Sequence, residues 1–210
     1  MTAHLQPSLL DETPDGACRL RPLDRIEHTR LDGGAWVEVL PGWVEGSDDV
    51  FARLVDTVPW YAERRQMYER LVDVPRLLCW YGEDAPLPEP VLAEAREALS
   101  DHYRGRLGEP FRTAGLCYYR DGRDSVAWHG DTIGRGERED TMVAIVSFGA
   151  PRRLLLRPRG GGATTCFALG HGDLLVMGGS CQRTWEHAIP KTTRAVGPRI
   201  SVQFRPRGVR

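Results

Sequence analysis

Apolar residues follow two different spacings along the chain. In the first half they recur at helical intervals in two stretches. Val50, Phe51, Leu54, Val55 and Val58 follow Ser47-Asp48-Asp49. This predicts a helix started by Ser47, with acids at the positive end of its dipole and Pro59 as its stop. Leu92, Ala95 and Leu99 predict a second helix from Pro90 to about Tyr103, with proline in the first turn where its missing N–H costs nothing. From Gly115 the spacing changes to short apolar runs broken by turns. These predict strands at 115–120, 126–130, 141–148, 152–157, 164–169, 173–178, 184–188 and 199–205. Asp121-Gly122 reads as a turn, Gly160-Gly161-Gly162 as a hairpin tip and Gly178-Gly179 as a bend. Eight short strands after two helices predict a mostly β protein with flanking helices (α+β), built on a two-sheet jelly-roll barrel.

The intervening segments are less patterned. Residues 1–35 are polar and carry scattered proline and glycine, and read as an N-terminal arm. Trp36 to Leu40 predicts a short strand closed by Pro41-Gly42, and Val74 to Gly82 an extended segment. Trp60 to Gln66 mixes aromatics with arginine, and Glu83 to Pro90 reads as a proline-rich loop. At 210 residues the chain fits one domain over 36–210 after the arm. No apolar run approaches the roughly 20 residues that span a membrane, and the start lacks the regions of a signal peptide. Five cysteines are scattered with no C-x-x-C pair. That argues against a disulfide framework or structural zinc and leads us to expect a reducing, cytoplasmic setting.

Charge refines the picture. The formal net charge is −1, but residues 1–100 hold 10 arginines against 19 acids, and residues 101–210 hold 18 basic groups against 10 acids. A basic second half suits an anionic polymer such as nucleic acid. The alternative is a GC-rich genome that favours arginine, since Lys191 is the only lysine.

The candidate chemistry starts at His129-Gly130-Asp131. In a strand, residues two apart share a face, so an imidazole and a carboxylate would enter the same space. A further histidine on a facing strand would complete two nitrogens and one oxygen, a set suited to non-haem Fe(II) with open positions. His187 lies 58 residues on, in the strand-like run Thr184 to Pro190. His4, His28 and His102 read as solvated surface. His171-Gly172-Asp173 repeats the triplet, but sits at a turn that Asp173 would cap. In Arg199 to Arg205 the alternation is strict, with Ile200, Val202 and Phe204 on one face and Arg199, Ser201, Gln203 and Arg205 on the other. The two arginines lie about 20 Å apart along the backbone. They either flank a short dicarboxylate, each by a bidentate fork, or lie on a solvated face.

Together these residues resemble the AlkB family of Fe(II)/2-oxoglutarate-dependent dioxygenases, closest to the nucleic-acid repair members. Matching stretches are Pro75-Arg76-Leu77 with Trp80-Tyr81-Gly82-Glu83, Tyr119-Arg120 with Asp124-Ser125-Val126 and Trp128-His129, Val146 to Ala150, and His187 with Pro190-Lys191. The resemblance covers about residues 36–206. It implies a double-stranded β-helix core at about 112–207 with a nucleotide-recognition lid at about 59–90. It implies Fe(II) on His129, Asp131 and His187, and O2 as oxidant. Arg199 would pair with the distal carboxylate of 2-oxoglutarate, while Arg205 and Tyr119 orient it. Trp80 and Tyr81 would stack on a flipped base, with Arg76 and Trp128 beside the substrate. The implied activity is oxidative demethylation of N-alkylated bases in DNA, single- or double-stranded, or in RNA. It would be a direct reversal of alkylation damage that releases formaldehyde and succinate, by a monomer with no membrane partner. Two other readings stay open: the same chemistry on a small molecule or protein, and a non-catalytic nucleic-acid-binding module.

The sequence departs from the family pattern at three places. Cys117 stands two residues before Tyr119 and Ser201 two after Arg199, where asparagine is frequent. Both remain candidates to touch the co-substrate, with weaker or shorter hydrogen bonds. After Asp131 come Thr132 and Ile133 rather than another acid.

Overall fold

The protein is described by a computed structural model covering residues 18–67, 70–83 and 85–209, with the side chains of 65–72 excepted. Most of the expected arm, residues 1–17, lies outside these, as do residues 68, 69 and 84 of the expected lid. Among the described residues fourteen strands and three α-helices follow in order. β1 (Arg19–Leu20), β2 (Glu27–Arg30), β3 (Ala35–Leu40) and β4 (Val44–Glu45) precede α1 (Asp48–Thr57). β5 (Tyr61–Met67) and β6 (Arg70–Tyr81) precede α2 (Pro90–Leu107). Then come β7 (Thr113–Tyr119), β8 (Val126–His129), β9 (Val143–Gly149), β10 (Arg152–Pro158), β11 (Thr165–Leu169) and β12 (Leu174–Gly179). After α3 (Cys181–Thr184) the chain ends with β13 (Trp185–Ile189) and β14 (Arg199–Arg205).

Two antiparallel sheets face each other. The larger runs β2-β3-β12-β9-β14-β7-β6-β5, and the smaller β11-β10-β13-β8. Val37, Val143, Ile145, Leu154, Leu156, Leu175, Met177 and Ile189 fill the space between them. The outer face of the large sheet carries Ala144, Val146, Phe148, Ile200, Val202 and Phe204, packed with Leu54 of α1 and Leu92 and Leu99 of α2. β9 is therefore buried on both faces, which is why it reads as a continuous apolar run rather than an alternation. This is the expected jelly roll backed by helices. No helix among the described residues is long and apolar enough to cross a membrane.

Three local expectations need correction. Residues 18–35 are not an irregular arm: β2 pairs with β3 at the edge of the large sheet, Glu27 opposite Val39 through Arg30 opposite Trp36. All four β2 residues are exposed, so the strand has no apolar alternation to betray it. α2 runs past Tyr103 to Leu107 and stops at Gly108, left-handed at φ 76°. Its last turn holds polar Arg106, which donates to both carboxylate oxygens of the buried Glu38 at 2.8 and 3.0 Å. Ser47 precedes α1 but makes no side-chain cap. Its hydroxyl meets Val44 O and His171 Nε2 instead.

Candidate active site

β8 and β13 are neighbours in the small sheet, and His129 and His187 are direct cross-strand partners. Their ring centroids lie 4.2 Å apart. Asp131 sits just beyond the end of β8, where Gly130 carries the chain past α3. A Cβ on Gly130 would lie 2.4 Å from Gln182 O, so the approach requires glycine. The Asp131 amide donates to Gln182 Oε1 at 2.9 Å. One ligating atom from each of His129, Asp131 and His187 lies within 4.8 Å of the others. His129 Nδ1 is 2.9 Å from Ala127 O and 3.1 Å from His187 O. It serves as the donor to these carbonyls, which leaves Nε2 with its lone pair facing Asp131, 3.9 Å from Oδ1.

The electrostatics hold this trio in ligand form. Burial alone would raise the Asp131 carboxyl, but Arg205 and the two imidazoles outweigh it and hold its pKa at about 2. Arg205 Nε donates to Asp131 Oδ2 at 2.6 Å. Burial pushes His187 down to about 3 and lowers His129 as well, so both rings are neutral at physiological pH.

Arg199, in β14, is fully buried. Its Nε donates to Ser147 Oγ at 2.9 Å, while its two terminal nitrogens are buried with no partner. A buried guanidinium with two open donors is costly unless an anion joins it, and a carboxylate matches its fork. Tyr119, the cross-strand partner of Arg199, places its ring 5.4 Å from that guanidinium and 5.7 Å from Arg152. Burial raises the Tyr119 phenol to about 12, so it stays a donor.

A cavity of about 500 Å³ opens onto these ligands, lined among others by Arg76, Trp80, Cys117, His129, Asp131 and Arg205. Trp80 lines this cavity, and Ile133, 69% exposed, stands on the same wall. Tyr81 does not. Strand alternation turns it to the opposite face, where it packs against the helix-side core. Trp128 lines a second cavity, under the Arg157 guanidinium at 4.1 Å. Ser201 accepts from Gln203 Nε2 at 2.5 Å, and Cys117 Sγ lies 3.7 Å from Gln203 Oε1. Arg205 is nearer the candidate metal ligands than expected, since its Nε donates to Asp131 and its Nη1 to Gln203 O.

The rival triplet is structural. His171 Nδ1 accepts from the Gly149 amide at 2.8 Å, and Asp173 accepts from the amides of Gly42 and Gly170. His28 meets Glu38 at 2.9 Å rather than lying free in solvent. Sequence reasoning placed Gln203 on the polar face of β14 but did not single out Gln182, Ser147 or Arg152. Buried Arg152 donates to Asp121 O, Asp124 O and Pro190 O at 3.1, 2.9 and 2.7 Å, tying the 121–124 turn to the loop after β13. Only their places on inward-facing strand positions or beside turns could have marked them.

Comparison with known proteins agrees with this geometry. The profile of the 2OG-Fe(II) oxygenase superfamily matches residues 37–205. Alpha-ketoglutarate-dependent dioxygenase alkB homolog 3 of Bos taurus is 32% identical over 190 residues, 79% of this chain and 64% of the relative. The chain thus spans just under two thirds of that protein's length. The human DNA oxidative demethylase ALKBH2 is 30% identical over 203 residues, 85% of this chain and 75% of the relative. Among solved structures, OsALKBH1 superposes with a TM-score of 0.58 at 15% identity, over 84% of this chain and all of that one. A Trichoplax adhaerens prolyl hydroxylase gives 0.57 at 14% identity, over 81% of this chain and 83% of that one. These two likenesses show a shared fold.

Proposed function

Because the chain belongs to the AlkB family of the 2OG-Fe(II) oxygenase superfamily, we propose that it removes methyl groups oxidatively from N-alkylated bases of nucleic acid, DNA first and RNA second. The family's requirements are Fe(II), 2-oxoglutarate and O2, and the residues present fit them. The observation that carries the reading is the juxtaposition of the His129, Asp131 and His187 ligand set with the two unpartnered nitrogens of buried Arg199. The relatives' names, demethylase among them, support nucleic acid as the substrate class.

His129, Asp131 and His187 would hold the iron, and Arg199 the distal carboxylate of 2-oxoglutarate. With these bound, the site supplies oxidation of an N-methyl C–H bond: one oxygen atom of O2 enters the methyl group and the other enters succinate, with loss of carbon dioxide. The resulting N-hydroxymethyl group breaks at its C–N bond: the electron pair returns to the base nitrogen, formaldehyde leaves, and the hydroxyl proton passes to that nitrogen when the base is neutral or to water when it was cationic. The chain's own share is placement. Arg205 holds Asp131 ionised and oriented, the His129 Nδ1 bonds fix its tautomer, and Tyr119 stands as a neutral donor beside Arg199. The apolar layer between the sheets keeps water from the co-substrate end.

We further assign the β5–β6 hairpin, within the expected lid, to gripping the substrate. Trp80 and Arg76 face the cavity from it, and a base must leave its stack to reach ligands this deep. The five cysteines are free thiols, which fits a cytoplasmic setting.

The test is anaerobic loading with Fe(II) and 2-oxoglutarate, then air and a methylated single-stranded oligonucleotide. Formaldehyde in step with succinate, lost in His129→Ala and His187→Ala, is the expected result. Succinate without formaldehyde on any methylated DNA or RNA overturns nucleic acid as substrate.

A further inference from the structure

Three cavities join into one path across the surface. The ligand cavity shares Arg76 and His129 with a second cavity of about 740 Å³. That second cavity lies between Asp73–Arg76 of the hairpin and β8, with Trp128, Leu155 and Ala188 on its wall and Pro190-Lys191 at its far end. It in turn shares Pro190 and Lys191 with a third, of about 340 Å³, whose wall includes Arg153 and Arg194. The path thus runs from the iron ligands, over an apolar wall with an indole, into a cleft of three exposed cations.

The three cations at the end are not engaged elsewhere. No ion pair or side-chain hydrogen bond is made by Arg153, Lys191 or Arg194 among the described residues. The cleft is also firmly built. Buried Arg152 ties Pro190 to the 121–124 turn. The Thr192 amide donates to Gly122 O at 2.8 Å, and a Cβ on Gly122 would sit 2.5 Å from Thr192 O. The loop bearing Lys191 and Arg194 is therefore pressed against a braced turn.

We propose that this path carries the nucleic-acid strand away from the reacting base: the neighbouring base lies on the apolar wall against Trp128, and the next phosphates lie in the Arg153–Lys191–Arg194 cleft. The inference rests on nucleic acid being the substrate and specifies how it is held. The ligand class follows from charge and shape. An aromatic platform followed by clustered cations is how a single strand is bound without reading its sequence. The second cavity's volume lies within the range of sites that bury one small ligand, which suits one base with its sugar. A duplex partner strand is not needed for either contact, so the surface fits a single strand.

The experiment is fluorescence anisotropy of the full chain with an unmodified single-stranded oligonucleotide across a salt series, alongside formaldehyde release from the same oligonucleotide carrying one methylated base. The triple variant R153A/K191A/R194A is compared with wild type, and succinate made without nucleic acid serves as the control for an intact iron site. Binding at least about 10-fold weaker is expected, and the salt slope should flatten by about 2, the value for three lost phosphate contacts on a single strand. Trp128→Ala should weaken binding and Trp128→Phe should restore most of it. Wild-type affinity and slope in the triple variant, with wild-type formaldehyde release intact, overturn this path and leave the proposed reaction standing. Absence of binding and formaldehyde with wild type itself overturns both.

Discussion

Arg205 Nε lies 2.6 Å from Asp131 Oδ2, so the last strand of the large sheet grips the carboxylate ligand that follows β8. Both side chains are nearly buried, at 12% and 5% exposed. The pair therefore sits where little water screens it. Replacing Arg205 by alanine should cost about 10- to 100-fold in Fe(II) affinity, the usual price of losing a partner behind a metal ligand. Titration with Co(II), followed by its visible absorption, reads this without turnover. Unchanged affinity would mean that Arg205 serves the co-substrate alone.

Arg199 gives a separable effect. On the proposed role, truncation to alanine would remove two charge-assisted bonds to the co-substrate, each worth about 1.5–3 kcal/mol. The KM for 2-oxoglutarate should rise at least about 100-fold, since each 1.4 kcal/mol is a factor of ten. Metal binding should stay near wild type. Ser147→Ala frees Arg199 Nε and should show a smaller rise of the same kind.

A third expectation concerns pH. Burial alone would raise the Glu38 carboxyl, but hydrogen bonds from Arg106, Tyr103 and His28 more than offset it and hold it below its ordinary 4.5. A depressed carboxylate contributes stability above its unfolded value and loses that contribution as pH falls through the folded one. Thermal melting should therefore show wild type losing stability below about pH 4.5, and Glu38→Gln, already less stable at pH 7, losing less over the same interval. Parallel losses in the two proteins would assign acid sensitivity elsewhere.

Gly115 of β7 provides a fourth. A Cβ there would lie 2.9 Å from Arg205 Nη1, 3.2 Å from Gln203 Oε1 and 3.4 Å from Trp80 Cε3. Each is the far part of a side chain, so the fold can absorb the methyl. Gly115→Ala should keep its melting temperature within a few degrees while losing demethylation several-fold, because Arg205 and Trp80 must both shift. A large drop in melting temperature instead would show that the crossing is rigid.

The ligand trio was legible because His129 closes a strand-like run with Asp131 two residues on, and His187 falls in a second such run, though Asp131 itself lies just past the strand end. Arg199 and its face of β14 were legible for the same reason. What escaped was of two kinds. β2 has polar residues on both sides of an edge strand, so nothing in its pattern separates it from coil. Tyr81 and Trp80 are adjacent aromatics, and their pairing with β7, Trp80 opposite Gly115 and Tyr81 opposite Ala114, decides which enters the cavity. Register of that sort arises from long-range pairing, as does the meeting of Arg205 with Asp131 across 74 residues.

The position of β14 has a consequence for how the protein is made. It lies between β9 and β7, inside the large sheet, though it follows every other described strand in sequence. Until residues 199–205 have left the ribosome, β7 and β9 present bare backbone edges to each other, and such edges invite pairing with other chains. A nascent chain stalled before Arg199 would carry His129, Asp131 and His187 yet lack both the wedge that closes the sheet and the guanidinium that steadies Asp131. Such a fragment is exposed to aggregation and to proteolysis. The ordering makes the finished Asp131 geometry depend on a strand made after every other strand of both sheets.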